Sequence, residues 1–435
     1  MKKNYFKHLN NLISKKKAVI GVIGLGYVGL PLSILFVNKG FKICGFDIDK
    51  AKIKKIFSNI SYIDRIENKF IKKLNYSGKF SHDFKNISLC DVIVICVPTP
   101  LKNNNPYTNY IKNTYKFIEK FLKPGQVIIL ESTSYPGTTN ELIVKKIEKE
   151  FKIGKNFFVG FSSERINPGF NENSIHKVPK VVSGQTKKCL KIINNFYSNF
   201  FSTIVRCKSI EIAEFSKLLE NIYRAVNIGF INEMKLVAQR FNLDIFDIIK
   251  VAATKPFGFK RFDPGPGTGG HCIPIDPRYL YYKSSKLGFK PKFIELAGET
   301  NLKVLKNIAS LTFKNLRERK ISNNKAKILI LGIAYKKNID DLRESAALNL
   351  INILKKKIKN IDFSDPYIKS FIKTRTSKID KKSIKISAKI LRKYDLTILM
   401  TDHDNFDYKV IYKNSNFIID TRGKFQLDNK VIRGW

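Results

Sequence analysis

The segment GPGTGGHCIPIDP, residues 265 to 277, sets Cys272 and Asp276 four positions apart among glycines and prolines. A cysteine is usually a small buried hydrophobe. Among turn formers it comes within reach of polar chemistry instead, and the glycines before it allow close approach to the backbone. A second constellation is Gly24, Gly26 and Gly29, a G-x-G-x-x-G run enclosing Tyr27 and Val28. It follows the strand-like Val19–Ile23, opens a helix near Tyr27 that Gly40 ends, and precedes a strand, FKICGFD, that finishes at Asp47. That context is the dinucleotide fingerprint. Gly24 permits the tight turn, Gly26 the approach of a pyrophosphate, and Gly29 the close packing of helix on strand, with the helix N-terminus facing the phosphates. Asp47 is placed to accept hydrogen bonds from the adenosine ribose and would repel a 2′-phosphate, which selects NAD over NADP. A bare tight turn explains neither the spacing nor Asp47. VPTP at 97–100 and ESTSYPGTT at 131–139 also end strands at the carboxyl edge, where α/β ligands bind. Pro98, Thr99, Ser132, Thr133 and Ser134 there could meet the cofactor or a reacting oxygen, or the hydroxyls could cap the next helix.

The elements that must position these residues follow from periodicity. Apolar runs at 91–97, 126–131, 156–161 and 179–184 predict buried strands separated by helices, an α/β domain on a parallel sheet. From about residue 208 the pattern becomes helical, with Phe215, Leu218, Leu219, Ile222, Val226 and Phe230 among the repeats of one long helix. DIFDIIKVAAT continues as another helix, and the helical section extends to about residue 318. A second α/β pattern begins at AKILILGIAYK, 326–336, with further strands expected at 361–364, 394–400 and 416–420 and a charged boundary at 317–325. The expected class is α/β, two Rossmann-like domains joined by a central all-helical dimerisation domain: 1–207, 208–318 and 319–435.

A chain of 435 residues, 43% hydrophobic, is long enough for two or three cores. Its six cysteines show no paired spacing, and the N-terminus lacks a long apolar stretch, so reducing cytoplasm is the expected compartment. The short, charge-interrupted apolar runs support no membrane insertion. The formal charge of +44 is spread along the chain with isoleucine and asparagine, a compositional bias rather than a specific nucleic-acid footprint. It would still favour an anionic substrate. The five histidines are isolated from any ligand-spaced cysteine cluster, so no metal is expected.

The glycine fingerprint, ESTSYPGTT, KLLEN at 217–221, GGHCIPIDP at 269–277 and GIAYKKNIDDLRESAA at 332–347 together resemble the nucleotide-sugar 6-dehydrogenases, the UDP-glucose and GDP-mannose dehydrogenase family. The similarity covers essentially the whole chain after residue 17. It implies a four-electron oxidation of a sugar 6-hydroxyl to a carboxylate with two NAD reduced, an active site between domains, and a C-terminal domain that closes on the nucleotide-sugar. Cys272 then traps the aldehyde as a thiohemiacetal that is oxidised to a thioester and hydrolysed. Asp276 activates or positions water with Lys217 and Thr133. Lys217 and Asn221, four apart on one helix face, serve the developing oxyanion, though alone such a pair reads as solvated surface. Glu164 belongs to the base and water machinery, while Arg165 beside it binds substrate or makes a simple ion pair.

Two positions depart from the UDP-glucose branch, which has a glutamate where Pro168 stands and a lysine where Ile275 stands. NPGF…IHKVPKVVSG, ENIYRAVNIGFINEM and KPFGF…DPGPGTGGHCIPIDP resemble instead the branch acting on UDP-N-acetylglucosamine. UDP-N-acetylgalactosamine, UDP-N-acetylmannosamine and UDP-glucose are the alternatives. Arg343 and Lys336 are the expected diphosphate and sugar contacts, a fork-shaped guanidinium suiting phosphate oxygens. Arg224 reaches from the helical domain or makes a surface or dimer salt bridge. Phe257, Phe259 and Gly269 line the uridine or sugar, or the two rings pack in a core. His271 tunes the thiol or meets substrate, and Asp402, His403 and the DTR at 420–422 serve the C-terminal fold or the cofactor edge. The resemblance also implies a homodimer through the 208–240 helix and a product used for lipopolysaccharide O-antigen or capsule.

Overall fold

The structure is a computed structural model that describes residues 4–63, 66–165, 176–270, 273–373 and 378–434. The chain forms two compact units, Met1–Glu220 with Arg278–Leu287, and Asn221–Pro277 with Gly288–Trp435.

In the first unit, α1 (Tyr5–Ser14), β1 (Val19–Ile23), α2 (Gly29–Asn38), β2 (Lys42–Phe46), α3 (Lys50–Phe57), α4 (Asn68–Ser77), β3 (Gly78–Ser81) and β4 (Val92–Ile95) build the first half. After a two-strand ribbon, β5 (Leu101–Lys102) and β6 (Asn105–Pro106), come α5 (Asn109–Ile118), β7 (Val127–Leu130), a π-helical stretch Asn140–Val144 running into α6 (Lys145–Ile147), β8 (Phe158–Phe161), β9 (Lys180–Gly184), α7 (Lys187–Ser198) and β10 (Ile204–Arg206). The sheet order is β10-β9-β8-β7-β4-β1-β2-β3. All pairings in it are parallel except β8 with β9. Every residue of β4, β7 and β8 is buried, because helices cover both faces of the sheet. The strands expected from apolar runs are present with slightly tighter bounds. β3 and β10 are absent from the sequence expectation: edge strands pair on one side and need few apolar residues. The helix expected from Tyr27 opens at Gly29, since residues 24–28 form the turn, and Gly40 at φ +89° ends it.

Helix α8, Ile210–Arg240, is continuous over 31 residues. Its buried face includes Leu218 and Ile222, whereas Phe215, Leu219 and Phe230 are exposed, so its apolar repeats serve two faces. The other helices of the middle section are α9 (Ile245–Ala252), α10 (Asp276–Lys286) and α11 (Lys292–Glu318). The second unit's sheet contains β11 (Lys327–Leu331) and, beyond α12 (Ala346–Leu354), β12 (Asn360–Ser364). A hairpin, β13 (Ser370–Lys373) and β14 (Lys378–Lys382), and α13 (Ala388–Leu391) lead to β15 (Leu396–Leu399), α14 (Tyr408–Asn414), β16 (Ile418–Asp420) and β17 (Val431–Arg433). The order β12-β11-β15-β16-β17 is parallel throughout. His403 and the DTR serve this fold. His403 Nδ1 accepts the Asn338 N–H, so Nε2 carries the proton and donates to Asp365 at 3.1 Å. Asp420 accepts from the Phe425 and Arg422 N–H groups and from Arg433, which also pairs with Asp244. Among the described residues no helix is long and apolar enough to cross a membrane.

One polar network lies inside the first unit. Glu131, directly after β7, accepts from Lys180 Nζ at 2.7 Å, and Lys180 opens β9. Tyr197 of α7 donates to the other Glu131 oxygen, and Lys180 also donates to the Ser163 carbonyl after β8 at 3.3 Å. The ammonium faces the Tyr197 and Phe201 rings at 5.0 and 5.4 Å. Burial raises the Glu131 carboxyl, and Lys180 opposes that shift. Lys180→Met strands the carboxylate and is expected to lose about 3–5 kcal/mol in urea unfolding. Adding Glu131→Leu should restore part of the loss, because no unpaired charge then remains.

Candidate active site and cofactor turn

The three fingerprint glycines are required for three different reasons. Gly24 sits at φ +91°, and a Cβ there would lie 2.7 Å from the Cys96 carbonyl oxygen. A Cβ at Gly29 would lie 1.9 Å from the Gly24 carbonyl oxygen. At Gly26 nothing comes within 4 Å, so the backbone is open to an approaching phosphate. Asp47 is buried; one oxygen accepts from Leu25 N–H at 2.9 Å and Lys52 Nζ at 3.0 Å, the other from Asp49 N–H at 2.9 Å. The carboxylate therefore holds the glycine turn itself. Tyr62 donates to the Leu25 carbonyl at 2.7 Å, and burial with the Asp47 charge pushes its phenol well up. Lys52 and Tyr62 escaped the sequence reading; a lysine five residues after the strand-end aspartate, in the first turn of α3, was the available signal. The open Gly26 and the N-terminus of α2 fit a dinucleotide pyrophosphate.

At the neighbouring strand ends, Ser132 Oγ donates to the Val97 carbonyl at 2.7 Å and so ties β7 to β4. Thr99 is buried, Thr133 and Val28 are half-buried, and Pro98 and Tyr27 are exposed. Glu164 is half-buried. Arg165 turns away from it: its Nη2 pairs with Glu220 of α8 and its Nη1 donates to the Pro179 carbonyl at 3.2 Å. Pro168 lies outside the described residues.

His271 and Cys272 also lie outside the described residues, but the chain on either side is defined. Gly270, at φ +87°, donates its N–H to the Arg343 carbonyl at 2.9 Å. A Cβ on Gly269 or Gly270 would strike Tyr335, at 2.8 or 2.7 Å. Thus Gly269 and Gly270 lock onto the Tyr335–Ser345 stretch, distant in sequence, through glycine contacts. Further upstream, the Gly265 N–H donates to Asn232 at 3.0 Å while Lys235 donates to the Gly265 carbonyl at 2.8 Å. Burial, with the Arg422 charge, pulls Lys235 down to about 7. Downstream, Asp276 is buried at the start of α10 and accepts from Asn221 Nδ2 at 2.5 Å. Asn221 was expected to face a substrate oxygen, and here one of its donors is committed to Asp276. Lys217, one turn earlier on α8, is buried with no hydrogen-bond or ion-pair partner among the described residues. Ile275 is buried.

Arg343 is half-buried and held by Asp341, its Nε and Nη2 reaching the carboxylate at 3.0 and 2.6 Å. Lys336, Phe259 and Gly269 are half-buried. Phe257 is exposed, with Lys255 5.0 Å above its ring, and Arg224 is exposed on α8.

Two α/β sheets, one before and one after a helical section in the chain and the first with a complete dinucleotide turn, define a Rossmann-class dehydrogenase. Models of the UDP-glucose/GDP-mannose dehydrogenase family match the chain in order: its NAD-binding domain at 18–201, its central domain at 211–303 and its UDP-binding domain at 329–427. The chain belongs to this family and is an NAD-dependent nucleotide-sugar dehydrogenase. It is 33% identical over 357 residues to a UDP-N-acetyl-D-glucosamine 6-dehydrogenase of Pseudomonas aeruginosa, covering 81% of this chain and 84% of that one. It is 31% identical over 392 residues to a UDP-N-acetyl-D-mannosamine dehydrogenase of Pyrococcus horikoshii, covering 89% and 90%. A solved structure of a UDP-D-ManNAc dehydrogenase from Pyrococcus horikoshii superposes with a TM-score of 0.84 at 29% identity, over 94% of this chain and 96% of that one.

Asp47→Ala removes the turn's acceptor and leaves Lys52 as a bare cation. NADH affinity in a fluorescence titration should fall about tenfold, the loss of one charged hydrogen bond, while NADPH gains relative to NADH. Unchanged affinity for both would remove Asp47 from the cofactor site.

Proposed function

We propose that this chain oxidises the C6 hydroxyl of UDP-N-acetylglucosamine to the carboxylate. The observation that carries the oxidation is the ordered match of all three family segments, together with the buried Asn221–Asp276 pair inside the central one; the Pseudomonas aeruginosa relative supports the choice of sugar. When bound, NAD accepts the hydride in each oxidation. The Cys272 thiolate adds to the C6 aldehyde, keeping it bound as a thiohemiacetal, and the second oxidation leaves a thioester. Water then releases the acid and restores the thiol. One alcohol, two NAD and one water give one carboxylate, two NADH and three protons.

Lys217 supplies positive charge to the developing oxyanion, and the second N–H of the Asn221 amide serves the same oxygen. Asp276, oriented by Asn221, positions water with Thr133, and Glu164 accepts a proton. Arg343, its guanidinium oriented by Asp341, meets the diphosphate and Lys336 the sugar region, with Arg165 and Arg224 as further cations. Phe257, Phe259 and Gly269 line the sugar and uridine. Gly24, Gly26, Tyr27, Val28, Gly29, Asp47, Pro98, Thr99, Ser132 and Thr133 hold the NAD. The apolar Ile275 supports an N-acetylhexosamine pocket over a glucose pocket. UDP-N-acetylmannosamine is the second reading, favoured by the Pyrococcus horikoshii relative and its structure; the two sugars differ only at C2.

The exposed apolar side chains Phe215, Leu219, Tyr223 and Phe230 on α8 support a homodimer through that helix. The product would feed surface polysaccharide assembly from the cytoplasm.

A panel of UDP-sugars scored by NADH absorbance and product mass is expected to return two NADH per acid, fastest with UDP-N-acetylglucosamine. A faster mannosamine reaction would reverse the substrate assignment. Cys272→Ala should bind NADH normally and form essentially no acid; carboxylate at the wild-type rate would rule out covalent capture.

A further inference from the structure

Helix α8 carries a glutamate on its buried face, at position 214, one turn after Ile210 and one before Leu218. A carboxylate on such a face must be met by donors. Glu214 is fully buried. One of its oxygens accepts from Thr139 N–H at 2.8 Å, Thr139 Oγ1 at 2.7 Å and Ser134 Oγ at 3.5 Å, and the other from Gly137 N–H at 2.6 Å. All four donors come from residues 134–139, the loop that leaves Ser132 and Thr133 at the end of β7. The backbone N–H groups belong to the start of the helical segment at Asn140, where no intrahelical acceptor exists. A side chain of α8 therefore completes the loop, and Lys217 stands three residues further along the same helix.

We infer that Glu214 is a positioning residue, the clasp that sets Thr133 relative to Lys217. This rests on the oxidation proposed above. Another tie on the loop is the Lys283–Glu141 pair at 2.5 Å, with Tyr135 donating to Glu141 at 3.0 Å. That pair is partly exposed, and such pairs contribute little. The buried carboxylate is the stronger constraint: it satisfies two backbone N–H groups that would otherwise be orphaned in the interior. Burial pushes its carboxyl up to about 7, while the Thr139 and Gly137 donors act against that rise. Nearby Glu211 is engaged separately, by the Asn140 side-chain amide.

The test uses the full chain, with UDP-N-acetylglucosamine and NAD. Glu214→Gln keeps an acceptor for Thr139 but turns an NH₂ toward the Gly137 N–H, so the loop is held on one side only. Its kcat should fall at least tenfold, since an ångström of misplacement can cost about 100-fold, while the sugar-nucleotide KM and the NADH Kd stay within about threefold. Thr139→Val keeps the backbone donor and removes the hydroxyl. It should lose about threefold in kcat, the worth of one hydrogen bond, and it carries the test if Glu214→Gln does not fold. Glu214→Ala should be worse than Glu214→Gln, the conservative change rescuing part of the rate. Wild-type kcat in folded Glu214→Gln, or a loss confined to KM, overturns the inference and leaves the activity standing. A wild-type chain that makes acid from no UDP-sugar overturns both.

Discussion

The ion pair between Lys180 and Glu131 ties together the ends of three strands. Glu131 follows β7, Ser163 follows β8 and Lys180 begins β9, so one ammonium links all three. Placing two charges in a protein interior costs several kcal/mol per ion, and the arrangement survives only when every lone pair and proton is satisfied. Here Tyr197 takes the second Glu131 oxygen, and two aromatic rings face the ammonium. A shift of one strand by a residue would break several of these contacts together. The network thereby holds the register of β9, which pairs antiparallel to β8. Thr133 and Glu164 leave the sheet immediately beyond these fixed ends.

The second unit solves its positioning problem with backbone rather than charge. Gly269 and Gly270 lie so close to Tyr335 that no side chain fits, and the Gly270 N–H is spent on Arg343. The loop leading to Cys272 is therefore seated on the loop presenting Arg343. Asn232 and Lys235 take the two polar groups of Gly265 at the start of the same segment. Asn221 meets Asp276 at its end. A glycine-rich loop loses much conformational entropy when ordered, and these contacts at both ends offset that loss.

Helix α8 shows how one element serves several tasks through periodicity. Glu214, Lys217, Asn221, Asn232 and Lys235 fall on its buried face among Ala213, Leu218, Ile222 and Ala225. Polar residues at helical spacing on an apolar face are a signal open to sequence inspection. For Lys217 and Asn221 the KLLEN motif gives that signal a meaning, whereas the partners of Glu214, Asn232 and Lys235 lie far along the chain.

Local chemistry made much of the molecule legible in advance. The glycine turn, the buried strands of both sheets and the long helix depend on short-range sterics and on apolar spacing, which the order of residues determines by itself. The short edge strands β3, β10 and β17 were not legible, since their pairing is set by a neighbouring strand rather than by their own composition. The partners of buried charges were hidden for a similar reason. Glu131 and Lys180 are 49 positions apart, Glu214 and Gly137 are 77 apart, and Asn221 and Asp276 are 55 apart. A residue's type states which bonds it can make, but burial decides which bonds it must make, and burial exists only after the chain has folded.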